Sequence, residues 1–142
     1  MKEWLPYKNK EEIKCKLIYE AKKDGDSAKN FHALCDNKGP TLTFISTSDN
    51  KKIGGFLSKS FDGNKGSITD KNAFLFSLNH NEKYPSLNYG IIQINDDFLK
   101  SEKNYYHPYT CRYDFGKRNI NQNFYFTVLD LEIYQILNVE DL

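Results

Sequence analysis

Between Thr41 and Leu57 polar and apolar residues take turns along the chain. Thr41-Leu42-Thr43-Phe44-Ile45 alternates, Ser46 to Asn50 offers a polar turn, and Ile53-Gly54-Gly55-Phe56-Leu57 resumes an apolar run. A period of two predicts strands, and two such runs across a turn predict an antiparallel hairpin. Gly54 and Gly55 inside the second strand predict a bulge or the close approach of another backbone. Asn72 to Leu78, with its Ala-Phe-Leu-Phe-Ser-Leu run, reads as a strand buried on both faces. Tyr89 to Ile94 reads as another, and Phe124 to Ile136 as one long strand or two consecutive ones.

Upstream the pattern changes. Residues 10–22 set Ile13, Leu17 and Ile18, with Cys15 and Ala21 nearby, among lysines and glutamates. That spacing predicts an amphipathic helix of about three turns, with Trp4 and Leu5 packing just before it. Asp24-Gly25 stops it, because glycine suits the φ > 0 position after a helix end. Ser27 is the predicted N-cap of a second, shorter helix running to about Asp36, with Phe31, Leu34 and Cys35 as its buried stripe. Asn37-Lys38-Gly39-Pro40 ends that helix. Two helices, then strands, with no β-α-β alternation, predict an α+β fold. With so many strands the expectation is two antiparallel β-sheets packed as a sandwich, flanked by two N-terminal helices. The chain shows no internal repeat, proline-rich linker or low-complexity block, so residues 1–142 are expected to form a single domain.

Composition narrows the functional classes. A chain of 142 residues has the usual single-domain size and needs no disulfide or metal staple. The balance of 20 Lys+Arg against 19 Asp+Glu, net +1, argues against a surface that tracks phosphates, and no nucleic-acid partner is expected. Lysine outnumbers arginine eighteen to two. This bias is read as codon pressure rather than as a phosphate-binding face. Aromatics make up 15% of the residues against a modest 39% hydrophobic total, so aromatic rings must do much of the packing. No apolar run approaches the ~20 residues of a membrane-spanning helix, and Met1 to Lys10 lacks the apolar core of a secretory signal. Three widely spaced cysteines do not form a disulfide framework. The expectation is a cytoplasmic protein with no integral membrane segment.

Several constellations could carry chemistry. His32 and Cys35 lie three apart on the second helix, the minimum for thiol nucleophile chemistry. The structural alternative is a cysteine on the apolar stripe and a histidine hydrogen-bonded at its margin. A zinc site would join His32 and Cys35 to His107 and Cys111, with Asp114 or His80 as substitutes, but the spacing matches no finger half. Asp24, Asp36, Asp62 and Asp70 sit in turns, where aspartate bonds its own backbone. Asp62-Gly63-Asn64-Lys65-Gly66 lacks the alternating acids of a calcium loop. Tyr105-Tyr106-His107-Pro108-Tyr109 could stack single-stranded nucleic acid, although a packed loop or a protein contact suits the neutral chain better. Glu132, Glu140 and Asp141 are expected at a solvated end. No catalytic, cofactor-binding or metal residue is assigned, and no cofactor is expected.

One stretch is more specific than its periodicity. Leu17/Tyr19, Asp24/Gly25/Ser27, Phe31/His32 and Cys35/Asp36/Lys38/Gly39/Pro40/Thr41/Leu42 follow one another in order. Gly54-Gly55-Phe56, Ser58-Lys59-Ser60-Phe61, Ala73 to Leu78 and a closing Leu131-Glu132-Ile133-Tyr134-Gln135-Ile136 complete the set. This pattern resembles the TLDc domain of the oxidation-resistance proteins, strongly over roughly residues 13–80 and loosely beyond. After Lys83-Tyr84-Pro85 the family usually carries a glycine-rich segment and a longer loop, where this chain has only Tyr89-Gly90-Ile91-Ile92, so the 85–110 region looks shortened.

The resemblance implies a β-sandwich flanked by helices, cytosolic work in protection from oxidative stress, and binding to the vacuolar-type proton-pumping ATPase, as in several relatives. It implies no catalytic set, and none is placed on His32, Cys35 or Asp24. The signature residues are read as structural: Gly25 and Gly39 for turns, Ser27 for the cap, Phe31 and Cys35 for packing. The expected function is that of a non-enzymatic interaction domain whose partner is a pump subunit or another large assembly. The alternatives are a scaffold component of a cytoskeletal or ciliary assembly and, less favoured, a thiol-dependent enzyme using Cys35 and His32. The chain is expected to be either an excised domain or a minimal protein.

Overall fold

Lysines alternate with Cys15 and Leu17 from Lys14 onward, and in the computed structural model that alternation prevails over the helical spacing. The structure describes residues 1–48, 50–64, 68–85, 128–140 and 142. After a single 3-10 turn at Lys2–Trp4, the elements are β1 (Lys14–Glu20), α1 (Ala21–Asp24), α2 (Ala28–Cys35), β2 (Thr41–Thr47), β3 (Lys52–Leu57), β4 (Phe74–Ser77), β5 (Glu82–Pro85) and β6 (Val128–Leu137). The expected strand at 89–94 and residues 124–127 of the last strand lie outside the described residues.

The two-sheet sandwich with two N-terminal helices is not what forms. Among the described residues there is one six-stranded sheet in the order β1-β6-β2-β3-β4-β5. Every neighbouring pair is antiparallel. The expected first helix is instead strand β1, which among the described residues is an edge of the sheet, and a single helical turn, α1, follows it. The positions Ile13, Leu17 and Ile18 suit a helical period and a strand period about equally well. Pairing with β6, which no local pattern displays, decides between them. Lys14 and Lys16 on this edge are a device that discourages further strand addition. A register shift between Leu17 and Tyr19 turns Tyr19 into the core, where it is fully buried.

Among the described residues, both faces of this sheet are covered. Alternate residues of β2 and β6, among them Ile45, Leu131 and Ile133, meet Tyr19, Phe31, Cys35 and Phe61 under α2. On the opposite face Leu42, Phe56, Phe74, Phe76 and Ile136 are covered by Leu5, Tyr7 and Ile13 of the N-terminal segment. Rings of Phe56 and Phe74 stack at 5.1 Å, and Tyr7 meets Phe56 edge-on at 6.1 Å. Each such large apolar side chain contributes about 1.5–3 kcal/mol on burial, and the aromatic-rich composition therefore supplies two core layers.

The hairpin forms as β2 and β3, with Thr41 opposite Leu57 and Phe44 opposite Gly54. Gly54 serves a close approach, not a bulge, since the register runs through it without a shift. A Cβ there would collide with the Thr43 carbonyl oxygen and come within 2.5 Å of the Phe76 ring. All four residues of β4 are buried, as the apolar run predicts.

Candidate functional site

The signature residues converge on α2 and on the loop that follows β3. Ser27 caps the helix, its Oγ accepting the Asn30 N–H at 3.1 Å, which satisfies one of the orphan donors of the first turn. The preceding turn is fixed just as tightly. Gly25 has φ 90°, its carbonyl accepts the Tyr19 hydroxyl at 2.7 Å, and Asn30 Nδ2 donates to the Asp24 carbonyl at 2.9 Å. A side chain on Gly25 would meet Asn30 Nδ2 at 2.7 Å. At the far end Gly39, φ 74°, donates its N–H to Ser60 Oγ at 2.8 Å.

Phe31 and Cys35, one turn apart, point into the core together. The Phe31 ring meets Tyr19 at 5.4 Å and Phe61 at 5.1 Å, both edge-on. Cys35 is completely buried. Burial, helped by the nearby Asp36 and Asp24 carboxylates, pushes its thiol up to about 12, far from the thiolate range that nucleophilic chemistry needs. Leu34, expected in the same stripe, instead lies 37% exposed.

His32 does not serve Cys35. Its Nδ1 lies 2.8 Å from Asp36 Oδ1, four residues on. Asp36 Oδ2 in turn accepts the Gly63 N–H at 2.8 Å, while Asn37 N–H donates to the Phe61 carbonyl at 3.0 Å. Asp36 is thus a hub that ties the end of α2 to the 60–63 loop, more than the self-bonding turn residue its setting predicts. The spacing of four on a helix is the signal that could have revealed its pairing with His32. The Ser58-x-Ser60-Phe61 element has three separate jobs. Ser58 N–H and Oγ both donate to the buried Asp70, at 2.5 and 2.7 Å, Ser60 holds Gly39, and Phe61 fills the core. Asp70 also accepts the Asn72 N–H, and Asp62 the Asn64 N–H, as turn aspartates do.

The zinc arrangement does not assemble from the described half. Cys35 is enclosed, His32 Nδ1 is engaged by Asp36, and His80 lies in an exposed turn after β4. His107, Cys111 and Asp114, the Tyr105–Tyr109 stretch, the shortened region and Asp141 lie outside the described residues, as do Lys65 and Gly66 of the calcium-like loop. One grouping was not foreseen. Glu20, Asp130 and Glu132 bring carboxylate oxygens within 4.8 Å of one another where β1 pairs with β6. Glu20 stands directly opposite Glu132, a register that sequence spacing cannot disclose.

The sequence profile of the TLDc domain matches residues 1–90, more than half of the chain. This protein belongs to the TLDc family. Among curated proteins none matches it. The TLDc signature, seen here in three dimensions, is a set of fittings around α2, and TLDc domains are linked to protection from oxidative stress. No helix among the described residues is long and apolar enough to cross a membrane.

Proposed function

We propose that this TLDc chain is a non-enzymatic interaction domain that contributes to oxidative-stress protection by binding the vacuolar-type proton-pumping ATPase. The observation that carries this reading is Cys35: the signature's thiol is sealed in the core and pushed up to about 12. The signature therefore builds a shape and leaves its outer surface for recognition. Residues 1–142 act as one domain on this reading, because β6, outside the matched stretch, lies between β1 and β2 in the same sheet. The domain works in the cytoplasm and reaches vesicle or lysosomal membranes through its partner. With a net charge of only +1, it meets that partner by shape and aromatic contacts rather than by a long-range field. Affinity capture from cell lysate tests the proposal. Enrichment of pump subunits is the expected result, and repeated capture without them removes this partner.

A further inference from the structure

Residues 1–13 belong to no strand, yet they form one wall of the core. Leu5, Tyr7 and Ile13 are buried against the layer that holds Phe56, Phe74 and Phe76. Among the described residues no backbone bond joins this segment to the sheet. Its backbone bonds are internal: Trp4 N–H to the Met1 carbonyl, Leu5 N–H to the Lys2 carbonyl and Glu12 N–H to the Asn9 carbonyl. Two lysines brace it further, Lys10 Nζ donating to the Glu3 carbonyl at 2.6 Å and Lys2 Nζ to the Ile13 carbonyl at 3.2 Å. Side chains from elsewhere supply the ties to the rest of the fold. Lys83 Nζ of β5, 4.3 Å from the centre of the Phe74 ring, donates to the Trp4 carbonyl at 2.9 Å. Glu140 Oε1 accepts the Lys8 N–H at 2.8 Å. Both ties are exposed, so water competes for their partners. The Tyr7 hydroxyl, by contrast, is buried with no hydrogen-bond partner. It gives up water when the segment seats and gains no bond in return.

We infer that residues 1–13 are a strap that opens as one body while the sheet stays folded, with Lys83 as its latch and the Tyr7 hydroxyl as a bias toward release. Its internal bonds keep the strap together as it lifts. The ladder from β1 to β5 contains none of its residues and survives the opening, so the transition is local rather than global. Opening returns the Tyr7 hydroxyl to water and uncovers Phe56, Phe74 and Phe76, whereas the core around Cys35 on the other face stays closed. The inference does not depend on the pump as partner.

Native-state thiol labelling tests it. Leu5→Cys places a thiol under the strap, in a chain whose own cysteines are replaced by Cys15→Ser, Cys35→Ala and Cys111→Ser. Urea denaturation of the same chain measures global unfolding and confirms that each variant folds. The introduced thiol is expected to react at least about tenfold faster than global unfolding allows, and with a shallower dependence on urea, because less surface is exposed. Adding Tyr7→Phe is expected to slow the labelling about tenfold, since a phenyl ring seats without stranding a hydroxyl. Adding Lys83→Gln is expected to speed it about threefold by weakening the latch. Labelling only at the global rate, with the global urea slope, overturns the strap. A rate that Tyr7→Phe leaves unchanged or raises overturns the role of the hydroxyl, and a rate that Lys83→Gln leaves unchanged overturns the latch.

Discussion

Cys15 and Cys35 show how completely position decides chemistry. Cys15 lies exposed on the edge strand, its thiol raised by partial burial but eased down by Lys2. Cys35 is enclosed, and its thiol moves from 9.0 to about 12 chiefly through burial. The fold thus holds the Cys35 proton more tightly than the unfolded chain does. Its contribution to stability is complete below about pH 9 and is lost as pH climbs toward 12, because the unfolded chain gives up that proton first. Melting temperatures measured from pH 8 to 11 are expected to fall, and to fall less steeply in Cys35→Ala. The buried Tyr7 and Tyr19, whose hydroxyls burial also raises, contribute to the slope that remains. At this scale the sequence was readable wherever a residue's job is local. Ser27 caps, and Gly25 and Gly39 take positive φ, as their neighbours demand. Asp36 was misjudged because its bond to Gly63 spans 27 residues, and no turn rule reaches that far.

The hairpin and β1 mark the limits of pattern reading at the scale of elements. In β2 and β3 an alternating run and an apolar run flank a polar turn, so pattern and partner are both local. In β1 the same apolar residues satisfy a helix about as well as a strand, and the deciding partner is more than a hundred residues away in sequence. The two glycines of β3 were legible as a warning, and the structure identifies its source. Gly54 lies between the Thr43 backbone and the Phe76 ring with no room for a methyl group. Gly54→Ala is therefore expected to lower stability by about 1–3 kcal/mol through overpacking, read as a lower urea midpoint with an unchanged m-value. An unaffected midpoint would mean that β3 and β4 stand farther apart than described.

For the whole molecule, the sandwich was inferred from the number of strands, and number alone does not set layers. What sets them is how each face is covered. Among the described residues, α2 covers one face of the sheet and the N-terminal segment the other. β6 joins the ends of the chain into that sheet, pairing with β1 on one side and β2 on the other. The signature residues of α2 and of the loop after β3 fall on one flank of this assembly, with the thiol inside and the His32 edge outside. The central claim is that the TLDc domain acts through that outer surface and not through thiol chemistry. The most direct test is the equilibrium affinity of the purified chain for the detergent-solubilised vacuolar pump, measured for the unaltered protein and for Cys35→Ala. The account predicts measurable binding with the same Kd for both. It is contradicted if the unaltered chain fails to bind, or if a correctly folded Cys35→Ala loses the interaction.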